Sequence, residues 1–498
     1  MTLLGAFFIP ITLVCFLWRP QNLLPLLIVA SVFEAGSVFN GAFGNFVFGV
    51  APFYFVEICV AIRLLVWVWH RGELLPPKET PAGGIAMLLI AFLAWSFASA
   101  FVMPHLFAGM PVYLPRERAD VDIVLGNLPP LQWSLSNLAQ GIYLTLNIAA
   151  VLFALQFIQT RDHVEKLAKA LRWAIFIAVA AGLLQQLAQM RGWSYPYPVF
   201  NNNPYNPSDI HPLDQEVGGF VRIISTFAEP MNSGSFLAAV ASGLLASYLR
   251  GRRGAVRLFA FLAAVLALLE TASTTGFLAL ILMLCLLLVY FNPLAKREFR
   301  LQPSFVRGWA VVILTAVCIA GAAILFVPSL SQAVFAMTVE KSETMSFASR
   351  VVADLDSFTL LKNTYGLGVG LGSSRPSSLI MALLSTVGIV GTTLFAMVLY
   401  KIIKMFPGRW APSLLQMSFW SLIGLLVAQS IGVPDLNRPA LWALLIMVVA
   451  QLNAYRMTAS DSSMKPIDPA LQANLKSKVV VPASQHGSIS KAADSSAL

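Results

Sequence analysis

Val256-Arg-Leu-Phe-Ala-Phe-Leu-Ala-Ala-Val-Leu-Ala-Leu-Leu-Glu-Thr-Ala-Ser-Thr-Thr-Gly-Phe-Leu-Ala-Leu-Ile-Leu-Met-Leu-Cys-Leu-Leu-Leu-Val-Tyr-Phe-Asn292 decides how this chain folds. A membrane-crossing helix needs about 20 largely apolar residues, so the stretch is too long for a single crossing. The polar break Thr271-Ala-Ser-Thr-Thr-Gly276 divides it into a hairpin of two helices. Runs of the same kind recur at 3–18, 23–38, 50–70, 84–104, 137–158, 172–190, 231–249, 308–327, 378–400, 412–432 and 438–454. With the two arms of the hairpin, 256–271 and 275–292, they make about 13 crossings, and 12 or 14 fit the same pattern. The first two runs are short enough for a re-entrant hairpin. The fold class is therefore all-α, a polytopic membrane protein.

Composition says the same. Of 498 residues 58% are hydrophobic and 11% charged, against roughly 45–50% and about 25% in soluble domains. Mean hydropathy is +0.75. A soluble enzyme, a nucleic-acid binder and a disulfide-stapled secreted domain are excluded together. The four cysteines, Cys15, Cys59, Cys285 and Cys318, lie in apolar runs without CxxC or Cys/His spacing, so neither a zinc site nor a disulfide framework is expected. The first run lacks a basic leader and a small-residue cleavage site, and reads as a retained helix.

The net charge of +10 is distributed in short clusters between apolar runs, the pattern that orients membrane proteins. Arg161, Lys166, Lys169 and Arg172 form one cluster, and Arg250, Arg252, Arg253 and Arg257 another. Lys296, Arg297, Arg300 and Arg307 form a third, and Lys401, Lys404 and Arg409 a fourth. Even numbers of crossings separate them, so all four fall on one face, the cytoplasmic one by the positive-inside rule. The opposite face receives the connections 105–136, 191–230 and 328–377, the Ser273 tip and the turn Pro434–Asn437. Residues 1–454 form the membrane domain. The Ser/Ala/Lys-rich segment 455–498 reads as a disordered cytoplasmic tail.

Chemistry is expected from polar residues on the outer face. Trp193 and Tyr195 precede Asn201-Asn-Asn-Pro-Tyr-Asn-Pro207. Rings beside amides suit a carbohydrate, although the same rings fit an interfacial aromatic belt. Arg222, Glu229 and Asn232 stand where the chain enters an apolar helix, a place where charge is paired or lines a wet cavity. Arginine keeps its charge and presents a fork that matches phosphate oxygens. Further on, Arg350 and Asp354 precede Gly366-Leu-Gly-Val-Gly-Leu-Gly-Ser373, and Arg375 follows it. A dinucleotide fingerprint needs a preceding strand, so that reading is rejected. A nest of backbone N–H groups from Gly368, Gly370, Gly372 and Ser373 remains open, as does a tight turn flanked by interfacial arginines. Glu34, Glu57, Arg63 and Glu270 lie singly in apolar runs and read as structural. His105 and His211 face outward without metal-ligand spacing, so no metal and no cofactor is expected.

The order Arg222-x-x-Ser-Thr-Phe-x-Glu-Pro-x-x-x-Gly-x-Phe-Leu237, Ser273-Thr-Thr-Gly276, Ser349-Arg350, the Gly-rich run and Gly388-Ile-Val-Gly391 resembles the O-antigen ligase/polymerase superfamily over about 220–400. The resemblance implies a GT-C-like membrane glycosyltransferase. It implies a glycan donor on undecaprenyl pyrophosphate at the periplasmic face of a bacterial inner membrane, without metal or nucleotide sugar. It implies pathway partners such as a flippase and a chain-length regulator. Arg222, Arg350 and Arg375 would then hold pyrophosphate, with Glu229 the candidate base and Asp354 second, while Asn232 and the Gly-rich turn contact substrate. Ligases of the superfamily carry a His-Asn-type pair after the Gly-rich turn, where this chain has Arg375-Pro-Ser-Ser378. That difference favours a polymerase-type member, for O-antigen or exopolysaccharide, over a ligase. A transporter is the reading of another class, and it calls for repeat symmetry between halves, which the sequence does not display.

The topology is testable directly. Cysteines placed at Ser208 or Ser342 should react with an impermeant thiol reagent from the outer face, and one at Ser462 should not. Outer-face labelling at Ser462 would reverse the assignment.

Overall fold

The computed structural model describes residues 1–463 except 44–45, 77–79, 114–127, 159, 205–214, 218, 251–253 and most of 292–344. The expected crossing at 308–327, the third basic cluster and the tail from 464 onward lie outside the described residues. In chain order the helices begin with α1 (Leu3–Trp18) and α2 (Leu23–Ala30). A β-hairpin follows, β1 (Phe39–Phe43) paired antiparallel with β2 (Phe46–Val50). Then come α3 (Pro52–Arg71), α4 (Pro81–Leu106), α5 (Leu135–Phe157), α6 (Arg161–Arg191) and the short α7 (Tyr197–Phe200). A two-residue ribbon, β3 (Glu216–Val217) with β4 (Phe220–Val221), precedes α8 (Pro230–Arg250), α9 (Ala255–Glu270) and α10 (Thr274–Phe291). The chain continues through α11 (Met345–Asn363), α12 (Leu379–Thr386), α13 (Gly388–Met405), α14 (Ser413–Gly432) and α15 (Pro439–Ser463). Residues Met1–Ala454 form one compact unit.

Eight of these helices are long and apolar enough to cross a membrane: α3, α4, α5, α6, α10, α13, α14 and α15. The protein is a multi-pass, mostly helical membrane protein. The polar break at Thr271 does split the long apolar stretch, because α9 stops at Glu270 and Ala272 takes a left-handed conformation (φ 43°) before α10 starts. Two expected runs and one connection take a different form. The run 23–38 yields only the eight residues of α2, then a turn and the β-hairpin. At about 12 Å that helix is far short of a crossing. The run 378–400 is two helices separated by Val387. The outer connection 328–377 contains a helix of its own, α11.

The run 231–249 is helical as α8, yet it is not apolar enough to be one of the eight. Its composition explains this. From Asn232 to Tyr248 every residue of α8 is buried, so it meets other helices and not lipid, and it is rich in Ser, Gly and Ala. Small residues let helices approach at backbone distance, which is how helices associate where lipid offers no hydrophobic incentive. A Cβ at Gly234 would lie 2.6 Å from Ser273 Cβ at the α9–α10 tip, and one at Gly424 would lie 3.0 Å from Ala239 Cα. At Gly243 a Cβ would overlap the Met417 carbonyl and the Ser421 hydroxyl of α14. Helix α8 is the axis around which α9, α10 and α14 pack.

Gly243→Leu should therefore wedge α8 from α14. Overpacking costs about 1–3 kcal/mol, or more where backbone must move. Purified Gly243→Leu should show a clearly lowered thermal midpoint, while Val289→Leu, exposed on α10, should change it far less.

Candidate active site

A cavity of about 450 Å³ opens where α3, α5, α8 and α15 begin. Tyr54, Gln140 with Tyr143, Asn232 and Arg438 with Pro439 come from those four starts, and Glu34 and Arg375 come from the neighbouring connections. The opposite ends of the same helices carry His70 and Arg71 in the last turn of α3, Arg161 just beyond α5 and Arg250 in the last turn of α8. The cavity thus sits at the pole away from the basic clusters. The N-terminal ends of four helices therefore border it.

Its floor is a knot of three side chains. Arg438 is fully buried and donates to the Asn232 carbonyl (Nη2–O 2.6 Å) while facing Glu34 (Nη2–Oε2 3.7 Å). Asn232 donates to the other Glu34 oxygen (3.2 Å). The turn carrying Arg438 is held on every side. Tyr54 Oη donates to the Asn437 carbonyl (2.6 Å), Asn437 Nδ2 donates to Gln140 Oε1 (2.8 Å) and Gln429 donates to the Asp435 carbonyl (2.8 Å). Neither Glu34, which reads as structural, nor Arg438 stands out in the sequence as a site residue. The available signal was an acid in an apolar run and an arginine opening an apolar helix, each costly unless paired.

Glu229 is the point where the outer segments meet. It lines the cavity and lies within electrostatic reach of Arg222, Arg375 and Glu34. Arg222 donates to the Thr271 carbonyl (Nε 3.1 Å) and to Gln215 Oε1 (Nη1 3.0 Å). Burial pulls its pKa down to about 10, with Glu229 opposing and Arg350 assisting, so it remains a cation at neutral pH. Arg350 stands beside it, with Nη2 on the sulfur of Met231 (3.3 Å). Neither arginine is among the residues lining the cavity, whereas Arg375 is. The Arg375 fork is committed to Asp435, Nε–Oδ1 at 3.2 Å and Nη2–Oδ2 at 3.0 Å.

The remaining expected residues fall outside the cavity or play a different part in it. Asp354 accepts from Ser377 N (3.0 Å) and Oγ (2.6 Å), so it anchors the connection that carries Arg375. Gly368, Gly370 and Gly372 all have positive φ, and a Cβ at Gly370 or Gly372 would come within 2.9 Å of α4 or of the start of α5. Their run is pressed against the break at Val387. Val369 N donates to the Ser385 carbonyl (2.8 Å) and Gly370 N to the Thr386 carbonyl (2.9 Å). Gly368 N donates to Thr364 Oγ1 (3.0 Å) and Ser373 N to the Gly370 carbonyl (3.1 Å). These four amides are occupied by protein acceptors, so they form no open anion nest; Leu371 and Gly372 of the run reach the cavity wall. Ser373 is buried under Asn137 Nδ2 (2.7 Å). Tyr195 is buried and bonded to the Ser225 carbonyl (3.2 Å), while Trp193 is exposed; neither lines the cavity. Arg63 is structural as expected, donating to the Phe16 and Leu17 carbonyls of α1.

Compared with known proteins, the chain matches no protein-family model and no curated protein.

The two ion pairs should behave differently when broken. The Arg375 and Asp435 side chains are 37% and 38% exposed, those of Arg438 and Glu34 0% and 15%. Removing one partner of a buried pair costs about 3–5 kcal/mol, and an exposed pair about 1 kcal/mol or less. Arg438→Ala should lower the thermal midpoint of the purified protein sharply and Asp435→Asn only slightly. Glu34→Gln combined with Arg438→Met should recover part of the first loss.

Proposed function

We propose that this chain is an inner-membrane polysaccharide polymerase, metal-independent, joining repeat units carried on undecaprenyl pyrophosphate at the periplasmic face. The observation that carries the reading is that Glu229 lies within electrostatic reach of Arg222 and Arg375, with Arg350 beside Arg222, at the helix pole away from the basic clusters. These residues come from two connections far apart in sequence; Arg222, Glu229 and Arg350 belong to the pattern by which the chain resembles the O-antigen ligase/polymerase superfamily, and Arg375 stands where the chain departs from it.

A sugar on a lipid pyrophosphate is already activated, so a catalyst has three tasks. It holds the pyrophosphate, stabilises the charge that grows as the leaving group departs, and positions an acceptor hydroxyl. In the proposed step the acceptor oxygen forms its bond to the anomeric carbon while the bond from that carbon to the phosphate oxygen breaks. The bonding pair leaves with undecaprenyl pyrophosphate, and the acceptor proton passes to Glu229. Arg222 and Arg350 are the cations for the leaving group, because Arg375 is already neutralised by Asp435. Fixed cations in a site of low dielectric stabilise such charge without reorganising, and holding donor and acceptor together lowers the entropic part of the barrier. A ligase that transfers a finished glycan would use the same groups; the superfamily's His-Asn-type pair, absent here, argues against it.

Deleting the gene should collapse lipid-linked glycan to single repeat units, and unchanged chain lengths would refute the polymerase. Arg222→Ala and Arg350→Ala should each slow polymerisation by about 10²–10³, equivalent to roughly 3–4 kcal/mol, with normal protein abundance. Lysine at either position should recover little, having lost the fork. Full-length polymer from both Ala variants would make them interfacial anchors.

A further inference from the structure

Among the described residues lining the cavity, Glu34, Glu229 and Asp435 stand against Arg375 and Arg438. Both guanidiniums already face a carboxylate, Arg375 Asp435 and Arg438 Glu34. The wall therefore holds more carboxylates than guanidiniums, and its cations are spent internally. A bare pyrophosphate or an acidic sugar seated here would meet like charge, and that repulsion is strong where water is excluded. Two further cations, Arg222 and Arg350, lie outside this lining.

The rest of the wall is of another kind. Gln140 and Asn203 bring side-chain amides, which both donate and accept, while the Asn437 amide is bonded to Gln140 and Asn147. Tyr54 and Tyr143 stack with ring centroids 4.1 Å apart, and both line the cavity. At about 450 Å³ the space falls within the range of small-molecule sites. Aromatic surface covers the C–H face of a sugar ring. Amides and carboxylates answer its hydroxyls, which donate and accept in turn. A neutral polyhydroxylated ring satisfies every part of this wall; an amino sugar gains from the carboxylate excess as well.

We propose that the cavity is a saccharide subsite for neutral or amino sugars, built by Tyr54, Tyr143, Gln140 and Asn203. All four lie outside the part of the sequence that resembles the superfamily. The proposal deepens the polymerase reading and rests on it for the role of the neighbouring arginines: pyrophosphate falls to Arg222 and Arg350, and the sugar to the cavity.

The test uses purified full-length protein in lipid nanodiscs. It is screened against a soluble glycan array of neutral, amino-substituted and uronic-acid oligosaccharides, and the strongest is titrated by calorimetry. A neutral or amino oligosaccharide should bind, and inorganic pyrophosphate should not displace it. Tyr143→Ala and Gln140→Ala should each weaken it by about tenfold, the equivalent of one lost contact, and Arg350→Ala should leave it unchanged. Where Tyr143→Ala does not fold, Asn203→Ala supplies the same reading. Binding of uronic-acid glycans alone, displacement by pyrophosphate, full affinity in folded variants, or no binding at all would each overturn the subsite. Oligosaccharide binding together with unchanged chain lengths in the gene deletion would remove the polymerase and keep the subsite. Lost polymer without oligosaccharide binding would do the reverse.

Discussion

The Arg438 guanidinium has no access to solvent, and the site is arranged around that fact. A buried charge is tolerated only with partners. Arg438 finds them in the Asn232 carbonyl and the Glu34 carboxylate, which belong to the start of α8 and to the turn after α2. One side chain thereby ties together the beginning, the middle and the end of the membrane domain. The cost of separating these groups is what keeps four helix N-termini converged on one cavity, even though α3, α5 and α15 keep much of their apolar length for helix and lipid contacts.

The second constraint is steric. Helix α8 runs through the middle of the bundle with a surface of Gly, Ala and Ser, and α9, α10 and α14 close on it to backbone distance. Something similar happens at the Gly-rich run. Breaking the helix at Val387 frees carbonyls that α4 and the glycines satisfy. Trp95 Nε1 donates to the Val387 carbonyl (2.7 Å), Ser99 Oγ to the Thr386 carbonyl (3.0 Å), and the amides of Val369 and Gly370 take the neighbouring positions. Irregular backbone at membrane depth is stable only when protein answers its polar groups in this way. The glycines are the residues that fit so near a second backbone, and their consequence for the site is indirect: they set where Gly372, Ser374 and Arg375 emerge.

Electrostatics then divides the region. On the cavity side, both arginines face carboxylates, leaving a polar, aromatic-walled space with carboxylate in excess. Beside it, Arg222 and Arg350 stand close enough to oppose one another, with Glu229 between the two regions. A neutral ring next to a charged leaving group presents the same division, which is why the proposed glycan transfer and the proposed saccharide subsite fit together on one short stretch of protein.

The sequence by itself determined the class of molecule. Apolar runs and the grouping of Lys and Arg act through solvent transfer, which depends on composition and hardly on neighbours, so the multi-pass architecture and the Thr271 hairpin were legible at once. Arg222, Glu229 and Arg375 were legible as well, because charge at the mouth of an apolar run is conspicuous. Tertiary structure alone decided what each one meets. That Arg375 is held by Asp435, that Asp354 bonds Ser377, and that the Gly-rich amides are already taken depend on residues distant in sequence. Glu34 and Arg438, some 400 positions apart, are each an unremarkable single charge until folding sets them 3.7 Å apart. Periodicity and hydropathy are local sums, whereas a buried ion pair is a property of two distant segments, and no local sum contains it.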